Sequence, residues 1–533
     1  MIIKFYVAVF STFLYTYLKS RKSFQMLQQN WYNEDNRYLK WMTKNRKQIF
    51  FNLDLLFLLL VMFQFIKIEV KYIEILFVIL YMVLSLIYLK NLKIAQNKLT
   101  LKRTPRVKRL FISEFIIYLI PVIIVSINFN ESNIVYYFLI LGLMVYLNYI
   151  MVYFANIVNK PIEKIINNGF KKKAIKKLKN MSNMKVIGIT GSYGKTSSKN
   201  ILNDVLNIKF NALKTPKNFN TPVGLIITIN NYLDKFNDLF IAEMVAFKKV
   251  EIKELCDLVS PTYGILTKIG IAHLESFGSQ ENIQTGKFEL IESLPQDGIG
   301  ILNGDDELQT SYKLKNNCKI VWIGINNKEV DVRATDIKIT NQGIEFNVIF
   351  KDDKQKYPFS TKLLGEANVY NILASIALGK ELGLSISQLQ MGVKKVNQIE
   401  HRLEMKKMGN INIIDDAYNS NPVGSKMAVE VLGMMDGHKI IVTPGMIELG
   451  DKQFELNKKF GQYIAENKID DVILIGENQT KPIYEGLISK KFKKENIFVL
   501  NDVKEAFPLI QKLKQKETFV LLENDLPDIF NEK

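Results

Sequence analysis

The sequence predicts an α/β chain of two domains built on parallel sheets, preceded by an α-helical transmembrane domain. Three observations carry this. Five apolar runs crowd the region before Lys160, a buried strand at 185–190 runs through a glycine turn into a helix, and strand-like runs alternate with helical stretches after residue 438. At 533 residues the chain is long enough for several domains. With 48% hydrophobic and 23% charged residues it is neither disordered nor collagenous. Cys256 and Cys318 alone cannot build a disulfide framework or a thiolate zinc cluster.

Charge placement separates the first third from the rest. The net charge is +18, and residues 1–180 carry 27 Lys/Arg against 8 Asp/Glu, whereas the remainder is near neutral with 44 against 45. Excess positive charge interleaved with apolar runs points to a membrane surface and away from nucleic acid.

The apolar runs lie at about 2–18, 49–66, 72–89, 110–128 and 134–158, each near the roughly 20 residues a helix needs to cross the hydrocarbon core. Residues 19–48 and 90–109 hold eight Lys/Arg each, while the turns at 67–71 and 129–133 hold two and none. With positive charge inside, the chain after Lys160 is cytoplasmic, so a multi-pass protein of the cell membrane is expected. Asp54, Glu74 and Glu114 interrupt the spans. They read either as side chains reaching the interface from helix ends or as a buried functional group. Trp31, Tyr32, Tyr38 and Trp41, interleaved with basic residues, suggest a segment at headgroup level or a docking site. The expected division is a membrane domain over 1–159, a basic linker over 160–183, a central nucleotide-binding domain over 184–397 and a third domain over 398–533.

The strand Lys185–Thr190 leads into Gly191-Ser192-Tyr193-Gly194-Lys195-Thr196-Ser197 and a helix. Glycines there let backbone N–H groups approach phosphates, and the helix N-terminus adds positive potential. Lys195 is placed to bridge the β- and γ-phosphates, and the Thr196 hydroxyl to bind Mg²⁺. Ile189 takes the place of the first glycine in the general phosphate-loop spacing. The strand ending in Glu243 offers a carboxylate beside that loop, a second position from which to hold Mg²⁺.

Thr190-Gly-Ser-Tyr-Gly-Lys-Thr-Ser197 resembles the ATP loop of the Mur ligases, which build the peptide of bacterial cell walls. Further motifs follow in that family's order over 184–533 and are most similar to the branch that adds D-alanyl-D-alanine. Asn218-Phe-Asn220-Thr-Pro-Val-Gly224 resembles its asparagine-rich loop, and Glu243-Met-Val245-Ala its Glu-x-Gly-Ala, without the glycine. His273-Leu-Glu-Ser-Phe-Gly-Ser279 matches a metal-binding segment. Lys287 falls where the family carries a carbamylated lysine. Asn303-Gly-Asp-Asp306 and Gly365-Glu-Ala-Asn368-Val-Tyr-Asn371 resemble nucleotide-reading segments, with Ala367 where the family has histidine. Arg402, in Glu400-His-Arg-Leu403, resembles an arginine that reaches the nucleotide phosphates. Asp416 and Tyr418, in Asp415-Asp-Ala-Tyr-Asn-Ser-Asn-Pro422, resemble the residues that accept from the ribose hydroxyls and pack against the nucleotide. Thr443-Pro-Gly-Met-Ile-Glu-Leu-Gly450 is similar to a later motif of the same family.

The resemblance implies a phosphate-loop central domain and a Rossmann-like C-terminal domain. It implies ATP and two Mg²⁺ as cofactors, the metals held by Thr196 and Glu243 and by His273 and a carbamylated Lys287. Lys195, Lys287, His273 and Arg402 become the catalytic set; Gly191, Ser192, Gly194, Lys195, Thr196, Ser197, Asn303, Asn368, Asn371, Arg402, Asp416 and Tyr418 become the nucleotide-binding set. The expected reaction is ATP-dependent amide formation through an acyl phosphate, joining D-alanyl-D-alanine to UDP-N-acetylmuramoyl tripeptide, with membrane proteins of cell-wall synthesis as neighbours. Because the family's soluble UDP-sugar domain is replaced by the apolar region, a lipid-linked acceptor is the alternative. A membrane protein that only senses nucleotide is the non-enzymatic one. Asn467-Lys-Ile-Asp470 spells a guanine motif, but it precedes a strand and lies far from the loop.

Overall fold

In the computed structural model the described residues are 2–55, 58–59, 73–94, 100–127, 134–271, 274–418, 421–447 and 449–525. Two compact units divide the chain, Met1–Asn168 and Gly169–Lys533.

The first unit is helical. Helix Ile2–Gln29 packs beside Ile73–Ile94 and Ile134–Tyr146. Helix Pro105–Ile127 buries Val107, Leu110, Glu114, Tyr118, Val122 and Val125, a stripe at helical spacing. Its opposite face, including Ile112, Ile116, Ile120, Ile123 and Ile127, is apolar as well, with Ile127 77% exposed. Among the described residues this is the one helix long and apolar enough to cross a membrane. Tyr136–Tyr146 and Asn148–Lys179, bent by 73° at their junction, qualify only if counted as one span. The helix of the expected first run is not among the qualifying ones over its described residues, and it buries Ser11, Thr12, Thr16, Lys19, Ser20 and Ser23. Half of the run 49–66 falls outside the described residues.

The carboxylates do not behave as side chains reaching outward. Asp54 is 3% exposed and receives Lys19 Nζ at 2.6 Å, which also donates to the Val145 carbonyl at 2.9 Å. Glu114 accepts from Ser20 Oγ and from Asn148 Nδ2 at 2.9 Å. The Glu74 side chain lies outside the described ones. Nor does the aromatic loop face outward as a whole. Tyr38 is fully buried and stacked 5.8 Å from Trp41, while Arg37 covers the exposed Trp31.

The second unit holds two sheets. The larger has the order β2 (Ala212–Lys214), β3 (Leu239–Glu243), β1 (Lys185–Thr190), β4 (Tyr263–Leu266), β5 (Ile299–Asn303), β6 (Lys319–Gly324), β7 (Val332–Thr340), β8 (Gly343–Phe350), β9 (Lys356–Thr361). It is parallel through β7, and β8 and β9 are antiparallel additions. Alternation along β1 sends Ile187 and Ile189 to one core, with helices Lys195–Leu206 and Ala367–Glu381, and Val186 to the other, with Pro222–Asn231, Glu251–Val259 and Gln280–Glu292. The smaller sheet has the order β10 (Glu404–Met408), β11 (Ile411–Asp416), β15 (Thr518–Glu523), β12 (His438–Thr443), β13 (Asp471–Ile475), β14 (Ile497–Leu500), with only β10 antiparallel. The four strand-like runs read after residue 438 coincide with β12 to β15. Asn467–Asp470 is structural, since the Asp470 carboxylate accepts the Lys439 N–H at 2.8 Å.

The basic stretch 160–183 continues the last helix and is largely exposed. It is helical through Lys179, and within the second unit Ala174 is fully buried. Lys177 donates to the Leu233 carbonyl at 2.6 Å, a cation placed just beyond the end of helix Pro222–Asn231.

Candidate active site

The loop after β1 sits at the C-terminal edge of the large sheet, between β3 and β4, where strand order reverses. Gly191 has φ 147°, and a Cβ there would lie 2.0 Å from Thr267 Oγ1, so only glycine lets the loop pass. The N–H groups of Ser192 and Tyr193 donate to the Lys268 carbonyl at 2.9 and 3.2 Å. These two amides therefore brace the loop against the exit of β4 instead of facing a ligand, contrary to the expectation from the motif. Binding potential remains at the start of helix Lys195–Leu206, which has no side-chain cap and includes Thr196 and Ser197 in its first turn.

Lys195 folds over the loop, its Nζ 2.8 Å from the Gly191 carbonyl and 3.1 Å from that of Ser192. Burial lowers its pKa to about 8 and Arg402 adds to the lowering, while Glu243 opposes it. Thr196 Oγ1 donates to Glu243 Oε1 at 3.0 Å, so the two residues expected to share a metal do meet. Asn220 Nδ2 donates to the same oxygen at 3.1 Å, which gives the asparagine-rich loop a place in the site. Lys199 was missed by sequence reasoning: its Nζ lies 2.8 Å from Glu243 Oε2. Burial pushes the Glu243 carboxyl up, but Lys199, Asn220 and Lys195 together hold it below the usual carboxylate range.

Lys287, on helix Gln280–Glu292, is fully buried with Nζ 3.2 Å from the Ala246 carbonyl and 5.2 Å from the Phe277 ring centre. Burial and the nearby Lys195 push its pKa well below that of an ordinary lysine. The nearby Glu289 is engaged elsewhere, accepting the N–H groups of Val250 and Lys253. A buried amine held neutral is the chemical condition for carbamate formation, so the residue fits that modification. His273 lies outside the described residues, as do Asn419 and Glu448.

Asn371 borders the loop, since a Cβ on Gly194 would lie 3.1 Å from its Oδ1. Its Nδ2 donates to Asn368 Oδ1 at 3.2 Å. Asn303 closes a turn by accepting the Asp305 N–H at 2.9 Å, and this is its visible work. Asp305 in turn accepts the N–H groups of Ile325, Asn326 and Asn327 and the Tyr370 hydroxyl, tying β5 to the helix that carries Asn371.

From the small sheet, the Arg402 guanidinium stacks 4.5 Å from the Tyr418 ring centre. Its charge reaches both Lys195 and Asp416. Burial pushes Asp416 up to about 7, with Arg402 opposing and Glu523 adding to the rise. Contacts and charge interactions within the second unit thus link Lys195, Thr196, Glu243, Lys287, Asn371, Arg402, Asp416 and Tyr418. Ser192, Gly194, Ser197 and Asn368 lie in or against the loop after β1.

Comparisons with known proteins agree. The Mur ligase middle domain matches residues 189–379, and the Mur ligase, glutamate ligase domain matches 401–523. The UDP-N-acetylmuramoyl-tripeptide--D-alanyl-D-alanine ligase of Bacillus subtilis is 31% identical over 341 residues, 63% of this chain and 72% of that protein. Its namesake in Haemophilus influenzae is 30% identical over 354 residues, 65% of this chain and 74% of that protein. Among solved structures, MurF from Acinetobacter baumannii has a TM-score of 0.61 at 25% identity, covering 67% of this chain and 77% of that one. MurF ligase from Thermotoga maritima in complex with ADP has 0.60 at 25%, covering 67% and 80%. Fold and cleft together define an ATP-dependent ligase. The chain belongs to the Mur ligase family, and its reaction is a step of peptidoglycan precursor synthesis.

Proposed function

We propose that this chain joins D-alanyl-D-alanine to UDP-N-acetylmuramoyl tripeptide, working at the cytoplasmic face of the cell membrane. The supporting observation is the Thr196–Glu243 contact beside Lys195, faced by Arg402 from the other sheet. A carboxylate is a poor acyl donor because oxide is its leaving group. Its oxygen attacks the γ-phosphorus of ATP, ADP leaves, and the resulting acyl phosphate is attacked by the amine of the dipeptide. The amine loses a proton, the C–O bond breaks and inorganic phosphate departs. Lys195 and Arg402 neutralise charge on the transferring phosphoryl group, one from each domain. Asp416 accepts from the ribose hydroxyls, Tyr418 packs on the nucleotide, and Asn368 and Asn371 read the base. Closure of the two sheets around the nucleotide keeps water from the acyl phosphate.

Thr196 and Glu243 fit one Mg²⁺, because a buried carboxylate oxygen and a hydroxyl oxygen already converge there. His273 and a carbamylated Lys287 are the proposed ligands of a second. Bound metal supplies further neutralisation of the phosphate oxygens.

The membrane anchor is supported by the inversion of polarity in the first unit. Helix Pro105–Ile127 is apolar on its exposed face, while Lys19, Asp54, Ser20, Glu114 and Asn148 pair inside the bundle. That same unit favours a second reading, in which the acceptor is lipid-linked and presented at the bilayer. Phosphate release by the full-length protein in vesicles, with D-alanyl-D-alanine and either the UDP-linked or the lipid-linked peptide, tests both. Turnover with the UDP-linked acceptor is expected; turnover only with the lipid-linked one selects the second reading, and none with either rejects both.

A further inference from the structure

Glu243 has two carboxylate oxygens, and the structure treats them differently. Oε1 receives the Thr196 hydroxyl at 3.0 Å and the Asn220 amide at 3.1 Å. A hydroxyl rotates freely, so Thr196 can turn its proton away and open one lone pair of Oε1 beside its own oxygen. Oε2 lies 2.8 Å from Lys199 Nζ in a buried ion pair, with side chains only 2% and 1% exposed, and accepts no hydrogen bond of its own. That ammonium is held from a second side, donating at 2.7 Å to the carbonyl of Lys217, whose backbone is left-handed at φ 46°. The Lys217 turn leads into the loop that carries Asn220, and Gly224 seats that loop, since a Cβ there would lie 2.8 Å from the Phe219 backbone. Lys199 is thus held between the carboxylate and a braced loop, buried on the helix face that also carries Leu202 and Leu206.

We propose that Lys199 is a positioning residue that makes Glu243 a one-oxygen ligand and so selects Mg²⁺ over Ca²⁺ at the nucleotide site. The inference rests on the metal assignment above. Mg²⁺ takes six ligands in tight octahedral geometry and accepts a carboxylate through a single oxygen, whereas Ca²⁺ takes six to eight and gains from a bidentate carboxylate. An ammonium fixed on Oε2 leaves Oε1 alone for the metal and denies Ca²⁺ its second contact. It also keeps the buried charge balanced before metal and nucleotide arrive.

The test measures dissociation constants for Mg²⁺ and Ca²⁺ by calorimetry on the full-length protein saturated with a non-hydrolysable ATP analogue. Wild type is expected to prefer Mg²⁺. Lys199→Met, which removes the cation beside Oε2, is expected to shift the ratio toward Ca²⁺ by about tenfold, and Lys199→Arg, which keeps a cation there, to keep it within about twofold. If Lys199→Met does not fold, Lys199→Gln replaces it: its amide reaches neither partner as a fixed cation, and a shift in the same direction is expected. An unchanged ratio in the folded Met or Gln variant overturns the proposal, as does an equal shift in Lys199→Arg. Failure of wild type to bind either metal with the analogue overturns the metal assignment instead, so the two failures are distinct.

Discussion

Two helices of the central domain each bury a lysine beside the same cleft, and the two lysines differ in what they meet. On Lys195–Leu206, Lys199 has a carboxylate at 2.8 Å and a carbonyl at 2.7 Å. On Gln280–Glu292, Lys287 has one carbonyl at 3.2 Å and an aromatic face. Burial and the nearby Lys195, outweighing Glu251 and Glu289, drive Lys287 toward the neutral amine, a nucleophile able to take up CO₂. Lys199 instead sits in a buried ion pair with Glu243. Equal burial thus places the two lysines in different surroundings, a carboxylate for one and a carbonyl and an aromatic ring for the other. Between them Lys195, resting on its own loop carbonyls, is the lysine free to exchange those contacts for phosphate oxygens.

The comparison is sharpened first at Lys195. Lys195→Ala removes the cation that meets the phosphates, and ATP turnover is expected to fall by about 1,000-fold or more with thermal unfolding little changed. Steady-state phosphate release checks it, and retained turnover would assign the phosphates to another residue. Next, Lys199→Ala strands a buried carboxylate and is expected to cost about 3 kcal/mol in denaturant unfolding of the second unit. The double variant with Glu243→Gln should recover much of this, because no charge is then left unpaired. Lys287→Ala is expected to lose roughly 100-fold in activity, the scale for removing support from a metal site. Short-chain carboxylic acids should restore part of that loss, and they should do nothing for Lys199→Ala. If they rescued both, the two lysines would not differ as described.

The smallest effect concerns Asp416. Its carboxyl titrates near 7 when folded and near 3.8 when unfolded, so between these values the folded state holds the extra proton. By linkage this contribution to stability falls as pH rises from about 4 to about 7, and Asp416→Asn should flatten that slope in unfolding measured across the range. Nucleotide affinity should move the other way, strengthening several-fold as the carboxylate forms, because the ionised group accepts hydroxyl protons better. An unaltered slope in the variant would assign the titration to another group.

Much of the cleft was legible because short-range spacing encodes it. A strand, a glycine turn, Lys195-Thr196 and a helix can be read from consecutive residues, and β11 to β15 announce themselves by apolar runs. Lys199 was not legible, since one lysine on an apolar helical stripe gives no sign of its partner 44 residues later. The use of the Ser192 and Tyr193 amides to hold Lys268 was hidden for the same reason, as was the burial of Asp54 and Glu114, which looked like helix-end carboxylates. The basic run ending at Lys179 looked like a tether because charge density says nothing about the one face, at Ala174, that is buried.

Sequence alone determined which chemical groups this protein owns and the order of its domains, because motif identity, charge balance and apolar periodicity are local properties. Tertiary structure alone decided which of those groups are buried, which oxygen of Glu243 lies beside Lys199 and which lysine is held below its ordinary pKa. Those outcomes depend on desolvation and on neighbours brought in from distant parts of the chain, and both act through distance in space, on which position along the chain has no bearing.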